Sequence, residues 1–203
     1  MKRTVGYDII CKDNNRGSDK MKKILVINGS ARKDSVSTAL CKSFIGEKNG
    51  FETKIYNAYT LNAKPCCGCG LCGKTVGCCY DDLDEFMADF EQADYFVIST
   101  PVYNGSVSAP LKAVTDRFQR YYALRFEHGV KPAVAKHKKA ALIIAAGSKG
   151  EGKEEIKTMY ERMFTVLNTS LEAVIFFDST DQRVPDEAAH ESVKQEGEYF
   201  FDS

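Results

Sequence analysis

Residues 23–40 read KILVINGSARKDSVSTAL, and this stretch constrains the fold more than any other. It starts as a β-branched apolar run, Ile24, Leu25, Val26 and Ile27, far shorter than a bilayer span. A run without polar alternation is how a strand buried on both faces of a parallel sheet reads. It stops at Asn28 and Gly29 and gives way to a hydroxyl-rich loop with one arginine: Ser30, Arg32, Ser35, Ser37 and Thr38. A helical pattern through Leu40, Phe44 and Ile45 follows, with Gly50 as the glycine expected at its end. Strand, donor-rich loop and helix N-terminus together suit an anion, because the free N–H groups of the first turn and the helix dipole both favour negative charge. The loop is therefore expected to hold a phosphate.

The rest of the chain repeats the alternation. Strands are expected at residues 52–56, 95–100 (YFVIST), 140–146 (AALIIAA) and 171–177. Between them lie helical patterns: Leu83, Phe86, Met87 and Phe90 after a cap at Asp81 and Asp82; Leu111, Val114, Phe118 and Tyr121 or Tyr122 after Ser108 and Pro110; and residues 153–168. Residues 125–138 read as an irregular basic connection, and the polar segment from Pro185 as a terminal helix. Five strands alternating with helices give an α/β fold with a parallel sheet covered on both faces, in the doubly wound order 2-1-3-4-5. The switch point of that order lies between strands 1 and 3. The phosphate loop and the loop Pro101, Val102, Tyr103, Asn104, Gly105 and Ser106 then converge there.

Absent patterns narrow the chemistry. The loop after Gly29 has no Gly-Lys pair and no G-x-G-x-x-G, which excludes a P-loop NTPase and a Rossmann dinucleotide site. No cysteine lies between Met21 and Leu40, which argues against a phosphatase nucleophile. Lys+Arg and Asp+Glu both number 28, so no charge excess points to nucleic acid or an anionic membrane. Met1 to Lys20 lacks the apolar core of a signal peptide and reads as a loose arm. The main domain is taken as residues 21–203 and the compartment as cytoplasmic. A loop that holds a phosphate without attacking it suits a bound cofactor.

Six of the eight cysteines fall within fourteen residues, in PCCGCGLCGKTVGCCYDD. In a reducing compartment such clustering indicates metal or redox work. Cys66, Cys69, Cys72 and Cys78 have the C-x2-C-x2-C-x5-C spacing that presents successive thiolates to a cubane cluster, and the intervening glycines permit tight backbone. A tetrahedral zinc site and free redox-active thiols stay open alternatives, and Cys67 and Cys79 leave the ligand choice ambiguous. Cys41 reads as a core residue, and His128, His137 and His190 as solvated side chains.

Gly29, Ser30, Ala31 and Arg32 with Ser35, Ser37 and Thr38 resemble the flavin phosphate loop of NAD(P)H-dependent FMN reductases, which have the flavodoxin-like fold. Thr100, Pro101, Val102 and Tyr103, then Lys112, Asp116 and Arg117, resemble the second flavin segment of that family and the helix after it. The likeness runs from about residue 23 to 177. It implies that Ser30, Arg32, Ser37 and Thr38 hold the FMN phosphate, that Pro101, Val102, Tyr103, Asn104 and Gly105 line the ring, and that Gly147 and Ser148 approach its other side. The cysteine insertion at residues 65–80 resembles the iron–sulfur flavoprotein branch, in which four cysteines bind a [4Fe–4S] cluster. The expectation is an FMN-dependent oxidoreductase. It would take electrons from NAD(P)H, ferredoxin or a similar donor to a small-molecule or protein acceptor, as a homodimer or homotetramer. A non-catalytic flavodoxin-type carrier and a flavin-free zinc protein are the rivals.

Overall fold

The computed structural model describes residues 21–202; the loose arm expected over residues 1–20 lies outside the described residues. The elements follow in the order β1 (Lys22–Asn28), α1 (Val36–Ile45), β2 (Phe51–Asn57), α2 (Ala58–Leu61), α3 (Leu71–Lys74), α4 (Asp84–Gln92) and β3 (Tyr95–Pro101). Then come α5 (Ala109–Arg117), α6 (Gln119–Phe126), β4 (Lys138–Ala145), α7 (Lys153–Val166), β5 (Thr169–Phe177) and α8 (Glu187–Asp202). The five strands form one sheet in the order β2-β1-β3-β4-β5, with every pairing parallel. This is the doubly wound arrangement expected of the alternating pattern, with its switch point between β1 and β3.

Side chains from successive strand residues go to opposite faces, and the two cores divide accordingly. Leu25, Ile27, Phe96, Ile98, Leu142 and Ile144 face Phe86 and Phe90 of α4, Leu111 and Val114 of α5, Tyr121 of α6, and Ile156, Tyr160 and Phe164 of α7. Ile24, Val26, Val97, Ala141 and Ile143 face Leu40, Cys41 and Phe44 of α1 and Val193, Phe200 and Phe201 of α8. The terminal helix is thus a structural element despite its polar composition. The Phe44 ring meets those of Phe200 and Phe201 at 5.3 and 5.7 Å, the Tyr95 hydroxyl donates to the Phe201 carbonyl at 3.1 Å, and Ser43 Oγ lies 2.8 Å from His190 Nδ1.

Local details depart from the sequence expectations where tertiary contacts decide. α1 stops at Gly46, whose φ of 57° suits the helix end, and Gly50 belongs to the turn before β2. The long helix expected from Leu111 to Tyr121 breaks at Phe118 into α5 and α6; Tyr121 goes inward and Tyr122 stays 45% exposed. Asp81 and Asp82 do not cap α4, whose N-cap is Leu83; Asp82 is drawn away by stronger partners described below. At the sheet edge, Lys54 of β2 bridges Glu85 and Asp89 of α4, 2.7 and 2.5 Å away. These carboxylates hold the ammonium charged well above its ordinary range.

Gly197 marks the closest approach of α8 to α1, because a Cβ there would overlap the Phe44 carbonyl. Gly197→Ala is expected to lower stability by roughly 1–3 kcal/mol through overpacking, seen as a reduced urea midpoint; an unchanged midpoint would contradict this packing. Lys138 is fully buried, and burial depresses its ammonium to about 8 despite hydrogen bonds to the Lys136 and Glu91 carbonyls at 2.9 and 3.4 Å. Because the folded pKa is depressed, the charge penalises the fold below about pH 8, and the penalty fades as pH rises toward the unfolded value near 10.4. Lys138→Met should therefore stabilise the fold at pH 7 by roughly 1–3 kcal/mol. The gain should shrink steadily when denaturation is repeated from pH 8 to 10.

Candidate functional site

Two clefts hold most of the expected site residues. The first gathers the loops at the carboxyl ends of the strands and has a volume of about 430 Å³. Arg32 comes from the loop after β1, and Pro101, Val102, Tyr103 and Asn104 from the end of β3 and the loop after it. Gly147, Ser148 and Glu151 follow β4, and Thr180 and Asp181 follow β5. The structure therefore brings seven of the expected flavin residues to one opening. Gly105 is not among its walls, but its φ of 70° and that of Asn104 at 51° turn the loop back on itself, with Tyr103 and Ser106 exchanging backbone hydrogen bonds. Gly147 leaves no room for a side chain: a Cβ would stand 2.7 Å from Asp181 Oδ2.

Ser30, Ser37 and Thr38 sit behind this opening, buried. Asn28 organises them. Its Oδ1 accepts from the Ser30 amide at 2.8 Å and its Nδ2 donates to Thr38 Oγ1 at 2.8 Å, while Ser99 Oγ donates to the Ser37 carbonyl at 2.9 Å. Ser35 caps α1 through the Thr38 amide and lies 2.7 Å from Thr38 Oγ1 and 3.3 Å from Ser37 Oγ. The hydroxyls thus do the ordinary work of capping as well as surrounding a helix N-terminus. Gly29 lets the loop press on α5, since a Cβ would lie 2.8 Å from Leu111 Cδ2. The exposed Arg32 is the cation at the mouth.

The second cleft, of about 470 Å³, is lined by Cys66, Cys67, Cys69, Cys72, Cys78 and Cys79 together with Tyr80, Asp116, Arg117, Arg120 and Glu127. It lies at the C-terminal end of α5. The cysteine loop leaves the carboxyl end of β2, as expected, but runs along the molecule to pack on α6 rather than staying with the flavin loops. His128 Nε2 lies 2.8 Å from the Cys72 carbonyl oxygen, so this histidine is no free surface residue. A Cβ on Gly73 would overlap the Glu127 carboxylate, which keeps α3 tight against α6.

One buried arginine closes the base of the loop. Arg117, 3% exposed, donates from Nη1 to the Lys64 carbonyl at 2.9 Å and from Nη2 to the Tyr80 carbonyl at 3.0 Å, and it pairs with Asp82 Oδ1 at 2.8 Å. Asp82 Oδ2 accepts from the Lys64 amide at 2.7 Å. Residues 64 and 80–82, the two ends of the cysteine loop, are thereby held to one guanidinium. Burial works against the charge on each partner. For Asp82 the Lys64 amide and Arg117 outweigh it and hold the carboxyl below its usual range; for Arg117, Asp82 and the neighbouring Cys78 sulfur do the same for the cation. From the sequence, Asp82 is expected as a cap of α4 and Arg117 on the helix after the second flavin segment. Their spacing carried no sign of a pairing across 35 residues.

The thiols fall into two groups. Burial raises the Cys72 thiol, and the nearby Cys78, Cys66 and Cys69 raise it further. Cys67, Cys69 and Cys79 form a tighter trio with sulfurs within 4.8 Å of one another. The Tyr80 hydroxyl is the chief influence lowering Cys67, and hydrogen bonding to Cys69 pushes Cys79 up to about 12. Thiolates on one tetrahedral zinc stand about 3.8 Å apart, whereas a cubane takes one thiolate at each iron corner and spreads them wider. Six thiols around an open cleft, with a buried cation at Cys78, suit a thiolate-bound anionic cluster. Cys41 is separate: its burial in the core pushes the thiol up to about 12.

Glu151, Thr180 and Asp181 line the first cleft and were missed by the sequence reading, although the rule that every loop after a parallel strand gathers at the carboxyl edge would have found the last two. Among the described residues no helix is long and apolar enough to cross a membrane. Removing the guanidinium with Arg117→Met is expected to destabilise the chain by about 2–4 kcal/mol at pH 7, because Asp82 is left without its cation. The depressed Asp82 carboxyl adds stability above its unfolded pKa near 3.9 and loses it as pH falls through the folded value. The wild-type advantage in thermal unfolding should accordingly narrow below about pH 4.

Comparison with known proteins agrees with this geometry. Residues 22–176 match the NADPH-dependent FMN reductase family. An iron–sulfur flavoprotein of Archaeoglobus fulgidus is 32% identical over 147 residues, covering 71% of this chain and 72% of its own length. One of Methanosarcina thermophila is 31% identical over 149 residues, covering 70% and 72%. Among solved structures, an azoreductase from Bacillus anthracis superposes with a TM-score of 0.63 at 16% identity, covering 89% of this chain and 100% of its own. An FMN-dependent NADH-azoreductase of B. anthracis in complex with FMN gives 0.60 at 16%, covering 88% and 99%. The chain is an oxidoreductase of the NADPH-dependent FMN reductase family, with the flavodoxin-like fold.

Proposed function

We propose that this protein binds FMN in the first cleft and a [4Fe–4S] cluster in the second, and moves electrons between a donor such as NAD(P)H or ferredoxin and a separate acceptor. The observation that carries this reading is a pair of clefts in one chain, one formed by the loops at the carboxyl ends of the strands with Arg32 at its mouth, and one lined by six thiols and a buried arginine. The iron–sulfur flavoprotein relatives support the second cofactor.

In this reading FMN supplies hydride and single-electron chemistry, and the cluster supplies single-electron exchange. The first turn of α1, with Ser30, Ser37 and Thr38, receives the phosphate, and Arg32 adds a charge at the mouth. Pro101, Val102, Tyr103 and Asn104 form one wall of the ring site, Gly105 turns the loop behind them, and Gly147, packed against Asp181, belongs to the other side of the same cleft. Tyr103, 42% exposed, offers an aromatic face. Cys66, Cys69, Cys72 and Cys78 are the cluster ligands, and Arg117 places positive charge beside Cys78. A homodimer or homotetramer is part of the same reading.

Arg32→Ala should weaken FMN about tenfold to a hundredfold, corresponding to a charge-assisted hydrogen bond of roughly 1.5–3 kcal/mol. Quenching of flavin fluorescence on titration into flavin-free protein measures it, and an unchanged affinity would remove Arg32 from the site. Anaerobic addition of NADPH with a dye acceptor separates enzyme from carrier. Sustained NADPH oxidation is expected here, whereas a carrier of the flavodoxin type would show none.

A further inference from the structure

Four of the six clustered thiols are accounted for by the quartet Cys66, Cys69, Cys72 and Cys78, which leaves Cys67 and Cys79. Each stands one residue beyond a member of the quartet, Cys67 next to the first and Cys79 next to the last. The loop folds them back on each other: their sulfurs lie within 4.8 Å and are hydrogen-bonded, and both residues are exposed. Closing a disulfide requires sulfurs at about 2.05 Å and Cβ atoms at about 3.5–4.5 Å, so a modest local movement suffices. Gly68 follows Cys67 and Gly77 lies two residues before Cys79, with φ of 64° and 125° in open space, where the backbone has the freedom for that movement. The third sulfur of the trio, Cys69, is held by the quartet, which leaves Cys79 as the partner of Cys67.

We propose that Cys67 and Cys79 form a dithiol–disulfide couple at the rim of the cysteine cleft that reduces small-molecule disulfides. Its pairing rests on the quartet assigned above. Cys67, as thiolate, attacks one sulfur of an external disulfide; that S–S bond breaks, a mixed disulfide forms on Cys67, and the departing thiolate takes up the proton Cys67 gave up. Cys79 then attacks the Cys67 sulfur and closes the Cys67–Cys79 bond, and its proton goes to the second departing thiolate. The external disulfide gains two electrons and two protons, and the pair loses the same. Two electrons and two protons from a reducing thiol or from reduced flavin restore the dithiol.

The test uses the full chain in a Cys11→Ser background, reconstituted anaerobically with FMN, iron and sulfide and exposed to glutathione disulfide. Iron is counted on one portion, and the chain mass and cysteine peptides are read on another. The wild-type pair should lose two hydrogens, release two glutathiones and carry no adduct. Cys79→Ser should trap one glutathione on Cys67, and Cys67→Ser should form neither the adduct nor the internal bond. Both variants should keep the iron content of the parent. A lasting glutathione adduct on the unsubstituted pair, or loss of iron in Cys67→Ser or Cys79→Ser, would overturn the proposal, the latter by making that cysteine a metal ligand. Failure of the cluster reading shows separately, as a parent chain that takes up no iron; the disulfide-linked peptides of that parent then decide the pair, a Cys67–Cys79 link supporting it and a Cys67–Cys69 link overturning it.

Discussion

The guanidinium of Arg117 is the interaction on which the distinctive part of this protein depends. A cysteine-rich loop with many glycines has little apolar surface to bury, and conformational entropy opposes its ordering. Here its two ends converge on one side chain: the Lys64 and Tyr80 carbonyls and the Asp82 carboxylate all meet Arg117. A buried charge is unfavourable unless paired, and the loop supplies partners for both terminal nitrogens of the guanidinium. The same cation faces Cys78, so the residue that ties the loop also favours negative charge in the cleft above it.

The α/β framework places this loop relative to the other site. Parallel strands buried on both faces send every following loop to one edge, and the 2-1-3-4-5 order opens a crevice between β1 and β3. Gly29 brings the phosphate loop onto α5 at Leu111, and Arg117 ends the same helix at the cysteines. One helix thus packs against the loop after β1 at one end and meets the cysteine cleft at the other.

The alternation of apolar runs and helical patterns made the sheet legible, because a strand buried on both sides has a composition that little else shares. The strand, loop and helix start over residues 22–45 were legible for the same reason, since they are contiguous in the chain. What escaped depended on contacts between distant segments. Asp82 looked like a cap until Arg117 claimed it, and His128 looked solvated until the cysteine loop packed on α6. The apparent single helix broke at Phe118, whose ring packs with Phe86, Phe90 and Phe96. Asp181 and Glu151 entered the first cleft through loops whose composition resembles any solvated turn.

The central claim is that one chain holds both a flavin and a cluster. Its most direct test is the iron, acid-labile sulfide and FMN content of anaerobically purified and reconstituted protein, read together with its visible spectrum. The account predicts one FMN with four iron and four sulfide per chain, and flavin bands overlaid by the broad absorbance of a [4Fe–4S] centre. A colourless chain that takes up neither flavin nor iron, or one that carries a single zinc ion in the cysteine loop, would contradict it.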